Sequence, residues 1–153
     1  VAYDHGLTED DAMKQNWIGG AWVDGKGVSR NINPSDLSDL VGEYAQADAE
    51  QTGSAVAAAR DAFAKWSVST PQQRFDALDA AGTEILARRA ELGDLLAREE
   101  GKTLPEAIGE VGRAGQIFKF FAGEALRIPG EKLGSVRPGL DVEITREPLG
   151  VVG

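Results

Sequence analysis

From Asp48 to Ala125 the apolar residues return every three or four positions, while on either side they alternate or sit in short groups between Gly, Pro, Asn and Asp. A period near 3.6 gathers apolar side chains on one face of a helix, and a period of two gathers them on one face of a strand. The chain therefore reads as strands, then long helices, then strands. That order suits an α/β or α+β domain, and 153 residues suffice for one domain with a sizeable core. No repeat and no low-complexity tract interrupts it.

The helical stretch carries its own punctuation. Asp48 and Gln51 have the spacing of a capping box, and Val56, Ala59, Phe63 and Trp66 then define the face expected to pack. Thr70-Pro71-Gln72-Gln73 combines a threonine cap, a proline at the first helical position and Gln at N3. Phe75, Leu78, Ile85 and Leu86 continue on one side, and Leu92, Leu95 and Leu96 carry the pattern to Gly101, placed for a left-handed C-cap. Thr103-Leu104-Pro105-Glu106 restarts the chain. Ala107, Val111, Ala114, Ile117, Phe118, Phe121 and Ala125 then form the apolar face of a third long helix, ending before Pro129-Gly130. Gly109, Gly112 and Gly115 within it each cost up to ~1 kcal/mol relative to Ala, which points to close packing or a ligand passing nearby.

The flanks read as strands. Residues 1–15 are a polar leader. Trp17-Ile18 and Ala21-Trp22-Val23 bracket Gly19-Gly20, a two-residue hairpin turn closed by Asp24-Gly25. Strands are expected at 29–32 and 40–44, joined through Asn33-Pro34-Ser35-Asp36. After a polar Gly/Pro stretch at 130–139, Val142 and Ile144 alternate with Asp141, Glu143 and Thr145, a strand with one wet face. Leu149, Val151 and Val152 read as a short strand entering a buried parallel sheet, with no partner strand in view.

Charge and composition narrow the function classes. A net charge of −9 repels a nucleic-acid backbone, and no basic stripe interleaved with aromatics offsets it, so nucleic acid is not an expected partner. The absence of cysteine removes disulfides, thiolate metal sites and a thiol nucleophile together. Nothing requires a membrane. The first fifteen residues hold four acidic side chains and no apolar run, unlike a secretory or transit leader, so a cytoplasmic location is expected.

Few residues invite chemistry. His5 stands in the polar leader without a Ser, Asp or metal-ligand constellation and reads as a solvated side chain. Glu99-Glu100 reads as a solvated pair at a helix end rather than a general acid and base. Lys102 offers either an anion cradle or a cation complementing a helix C-terminus. Neither GxGxxG nor a Walker pattern occurs. Gly109, Arg113, Gln116 and Phe120 recur at four, three and four, so they share a helical stripe beside the strongly apolar one. Such a stripe can line a cavity, with the Arg113 fork suited to a carboxylate and Gln116 adding a neutral donor. The alternative is a surface arginine paired with Glu110 or Glu106.

Several strings resemble one family. NWIGGAWVDG at 16–25, the NPSD turn at 33–36, AVAAARDAFAKW at 55–66, EEGKTLPEA at 99–107, FKFFAGEA at 118–125 and TREPLGVVG at 145–153 are similar, in that order, to the amino-terminal third of NAD(P)-dependent aldehyde dehydrogenases. The resemblance implies an α/β fold, namely the N-terminal part of the aldehyde dehydrogenase fold. Residues 16–137 would begin the cofactor-binding domain, 138–146 would hold a strand of an oligomerisation sheet, and 147–153 would be the first strand of the dinucleotide-binding sheet. It further implies a small-molecule aldehyde substrate, NAD or NADP as cofactor, a homo-oligomer, and a polypeptide that continues well past Gly153. The family's reaction runs by thiolate attack, hydride transfer to NAD(P)+ and thioester hydrolysis. Its catalytic groups would all follow Gly153, so none is assigned here.

The resemblance also places the helix at 104–126 beside the substrate tunnel, with Arg113 on a tunnel-facing turn. The run GEVGRAGQIFKFFAGEAL at 109–126 is most similar to dehydrogenases of 2-oxoglutarate semialdehyde (2,5-dioxopentanoate), with succinate semialdehyde the near competitor. Arg113, Gln116, Gly109 and Phe120 are thus the candidate substrate-binding residues. A monovalent cation would take the backbone carbonyl of Ile32 and the carboxylate of Glu99. A complete chain of this length would instead be a non-catalytic interaction or scaffold module keeping the dehydrogenase surface.

Overall fold

A computed structural model describes residues 13–153. His5 and most of the polar leader therefore lie outside the described residues. Among the described residues six strands and four helices follow in the order expected: β1 (Asn16–Ile18), β2 (Ala21–Val23), β3 (Gly27–Ile32), β4 (Leu40–Gln46), α1 (Ala49–Trp66), α2 (Pro71–Ala87), α3 (Arg89–Glu100), α4 (Leu104–Ala125), β5 (Glu131–Gly134) and β6 (Asp141–Ile144). The strands pair as three antiparallel two-stranded ribbons, β1–β2, β3–β4 and β5–β6.

Several expectations change. The single long helix from Thr70 to Gly101 is two, because the chain leaves α-geometry at Arg88 (φ −95°, ψ 18°), whose N–H turns back to the Glu84 and Leu86 carbonyls. Four helices replace three. The polar stretch at 130–139 also contains a strand, since Glu131–Gly134 pairs with Asp141–Ile144 in register Glu131↔Ile144 to Gly134↔Asp141. Leu133 is the lone apolar residue of Glu131–Gly134, so the sequence shows no alternation there. Residues 145–153 form no hydrogen-bonded ladder.

The chain divides into two compact units, one of residues up to Ala59 with Ala90–Glu110, the other of Arg60–Arg89 with Val111–Gly153. In the first, Gly19 and Gly20 take positive φ (62° and 85°) to turn β1 into β2, and Trp17 faces Trp22 edge-on with ring centroids 4.7 Å apart. β3 meets β4 with a register shift between Asn31 and Ile32. The NPSD turn closes as an Asx turn, Ser35 N–H donating to Asn33 Oδ1 at 2.9 Å. Gly101 ends α3 with φ 68°, as its sequence position anticipates, and its carbonyl accepts from Ser35 Oγ at 2.8 Å. Half of the expected capping box forms at α1. Gln51 N–H donates to Asp48 Oδ1 at 2.8 Å, but the Gln51 amide reaches the Asp24 carbonyl instead, at 2.6 Å. The packed face of α1 is rotated as well. Val56 and Trp66 are exposed, while Ala55, Ala58 and Phe63 are more covered, Ala58 lying where a methyl on Gly19 would touch it at 3.7 Å.

In the second unit α2 starts with a complete capping box, Gln73 N–H donating to Thr70 Oγ1 and Thr70 N–H to Gln73 Oε1. α2 and α4 approach at glycines, a Cβ on Gly82 falling 3.0 Å from the Gly115 carbonyl oxygen. Among the described residues the buried apolar ones are Ala107, Val111, Ala122 and Ala125. Close packing resolves the cost of two glycines, since a Cβ on Gly115 would fall 2.6 Å from Leu86 Cγ and one on Gly112 3.1 Å from Arg89 Nε. Ile117, Phe118 and Phe121, expected on the packed face of α4, are instead exposed by 44%, 37% and 54%. Among the described residues no helix is long and apolar enough to cross a membrane.

Candidate substrate cavity

The half of α4 from Val111 onward carries the site. Arg113, Gln116, Ile117, Phe120 and Phe121 line a cavity of about 450 Å³ in the second unit. Spacings of three and four put Arg113, Gln116, Ile117 and Phe120 on adjoining turns of one helix face. Phe120 meets Phe121 edge to face, centroids 5.3 Å apart and planes at 89°, so the aromatic wall is held by the helix itself. Three of the four stripe residues meet here. Gly109, one turn before Arg113, does not line the cavity, and a methyl added to it would touch nothing within 4 Å. Ile117 and Phe121 join the lining although their spacing reads as core. On α4 it is the small residues Gly115 and Ala122 that are buried, while Ile117 and Phe121 stay exposed.

Arg113 is exposed, and neither acid of the alternative reading pairs with it. Glu110 accepts from Lys102 Nζ at 2.7 Å, and Glu106 accepts from Thr103 Oγ1 at 2.6 Å. Among the described residues neither Arg113 nor Gln116 takes part in a side-chain hydrogen bond or ion pair. A guanidinium and a primary amide therefore stand one turn apart with their donors uncommitted, above an apolar and aromatic floor. That arrangement suits a small molecule with an apolar body and an anionic end.

Other candidates are structural. Lys102 lies 2.6 Å from Glu100 and 2.7 Å from Glu110, and its bonds to these two carboxylates raise the pKa of its ammonium. It is thus no anion cradle. Glu99 is no freely solvated partner of Glu100 either, because its Oε1 accepts from Asn31 Nδ2 at 2.9 Å and from Tyr44 Oη at 3.3 Å. Burial, then the Glu99 charge and hydrogen bond, push the Tyr44 hydroxyl pKa up. The Asn31 bond brings the Glu99 carboxylate to the residue preceding Ile32, and Oε2 takes no part in a hydrogen bond among the described residues. Nearby, Arg98 grips Asp39 with both arms of its fork, at 2.6 and 2.9 Å. That fork, with the Asn33 amide, lowers the Asp39 pKa to about 2. No group of three or more His, Cys, Asp or Glu that could hold a metal ion occurs among the described residues.

Comparison with known proteins gives a single direction. Residues 22–153 match the aldehyde dehydrogenase family. Alpha-ketoglutarate semialdehyde dehydrogenase of Haloferax volcanii is 35% identical over 139 residues, covering 90% of this chain and 29% of the relative. Alpha-ketoglutaric semialdehyde dehydrogenase of Bacillus subtilis is 36% identical over 140 residues, with the same two coverages. The chain thus spans less than a third of these relatives. Among solved structures, a point mutant of betaine aldehyde dehydrogenase from Staphylococcus aureus in complex with NAD+ superposes with a TM-score of 0.82 at 29% identity, over 88% of this chain and 28% of that one.

Proposed function

Because this chain belongs to the aldehyde dehydrogenase family, we propose that the whole protein oxidises an aldehyde bearing a carboxylate at its far end, with Arg113 holding that carboxylate. The substrate class is an acid semialdehyde, 2-oxoglutarate semialdehyde first and succinate semialdehyde second. The observation that carries this reading is the uncommitted Arg113 guanidinium on the wall of a cavity whose other lining is largely apolar. The overall charge of −9 repels an anionic substrate at long range, so a local cation is what an acid aldehyde needs.

NAD or NADP supplies the hydride acceptor when bound. The chain has no GxGxxG or Walker pattern, so no residue of it is assigned to the nucleotide. Residues 147–153 are read as the first strand of the dinucleotide-binding sheet, and 138–146 as carrying a strand of an intersubunit sheet in a homo-oligomer. The uncommitted Oε2 of Glu99, with the Ile32 carbonyl, suits a monovalent cation.

Arg113→Ala tests the substrate reading. Charge-assisted bonds to a desolvated carboxylate are worth ~1.5–3 kcal/mol each, so kcat/KM for an ω-carboxylated aldehyde should fall roughly ten- to a hundredfold. A neutral aldehyde of matched length should lose much less. Equal losses for both would assign Arg113 to support of the helix.

A further inference from the structure

We infer that Gln116 reads a second oxygen, on the carbon next to the carboxylate, and so makes the cavity selective for 2-oxo acid semialdehydes over plain ω-carboxy aldehydes of the same length. The inference rests on the acid-semialdehyde reading and goes beyond it, since a carboxylate alone needs only the Arg113 fork.

The argument starts from donors. Arg113 and Gln116 line one cavity and lie three residues apart, about 4.5 Å along the helix axis. Neither is committed to another group among the described residues. A guanidinium satisfies a carboxylate through two parallel N–H donors. The Gln116 amide then has its own pair of donors beside a carboxylate already engaged, and a neutral acceptor completes it better than a second charge. In a 2-oxo acid the keto oxygen sits on the adjacent carbon, within reach of a donor one turn from the first. The rest of such a substrate is a short methylene chain, matched by Ile117, Phe120 and Phe121. A site that hydrogen-bonds a substrate oxygen discriminates against the analogue lacking it, because its donor is otherwise left unpaired.

The test uses the full-length enzyme and three five-carbon aldehydes: 2,5-dioxopentanoate, 5-oxopentanoate and pentanal. Wild type should prefer both acids to pentanal, and 2,5-dioxopentanoate to 5-oxopentanoate. Gln116→Met, which keeps the side-chain length without its donors, should lower the kcat/KM ratio of the first acid to the second by roughly three- to tenfold. Gln116→Leu should do the same. If wild type fails to prefer the acids to pentanal, the acid-semialdehyde reading falls and this inference with it. If the acids are preferred but both variants leave the ratio of the two acids unchanged, only the role of Gln116 is overturned.

Discussion

Alanine should destabilise the protein at Gly93 and stabilise it at Gly109, although both glycines are helical. A methyl on Gly93 would stand 2.5 Å from Ile108 Cγ1, 2.9 Å from Ile108 Cα and 3.1 Å from its amide nitrogen. Two of these three atoms belong to the backbone, so α3 and the first turns of α4 must move apart rather than a side-chain tip rotate. Overpacking of this kind costs about 1–3 kcal/mol, and the helix preference for Ala over Gly returns ~0.5–1 kcal/mol. The net for Gly93→Ala is roughly 1–2 kcal/mol of destabilisation, a fall of ~2–8 °C in the unfolding midpoint. At Gly109 the methyl meets nothing within 4 Å, so the preference acts alone and the midpoint should rise by ~1–4 °C. Thermal unfolding of the two variants beside wild type gives the answer. Shifts of the same sign and size would refute the claim that contact with Ile108, and not helix propensity, decides the outcome.

Acid should release the Arg98–Asp39 fork. The folded pKa of Asp39 is lowered to about 2 from an ordinary value of ~3.9, so its contribution is present above pH ~4 and is lost as the pH falls toward 2. Asp39→Asn should flatten the stability profile over that window in urea titrations, and an unchanged profile would clear Asp39 of the role. Val142→Lys should weaken self-association of the whole protein by roughly ten- to a hundredfold, since Val142 and Ile144 are 44% and 39% exposed and burying a valine is worth ~1.5–3 kcal/mol. Light scattering that finds subunit association intact would leave β6 an ordinary edge.

Features set by neighbours in sequence were legible in advance. The Thr70 box, the Gly19-Gly20 turn and the positive φ at Gly101 each depend on residues a few positions apart, and each forms as expected. Contacts that close over distance were not. The fate of Glu99 depends on Asn31 and Tyr44, and that of Arg98 on Asp39, neither visible in a local pattern. Burial along α4 follows the expected face in part: Ala107, Val111 and Ala125 are buried, whereas Ile117, Phe118 and Phe121 are exposed. Where α2 meets α4 at Gly82 and Gly115 it is backbone, Leu86 and Lys119 that crowd the glycines. The stripe carrying Arg113, Gln116 and Phe120 was legible because helical spacing suffices to align it. The uncommitted state of Arg113 was not, since it depends on Lys102 claiming Glu110.

The turn after β3 and the end of α3 are joined three times over, by Asn31 to Glu99, Ser35 to Gly101 and Asp39 to Arg98. These partners are 68, 66 and 59 positions apart in the chain. Closing a flexible loop of that length costs roughly 3–4 kcal/mol beyond the constant term, a cost met once by whichever bond forms first and largely spared to the other two. The three bonds therefore lock as a set. Such separations raise the mean sequence distance of native contacts, the quantity that slows folding.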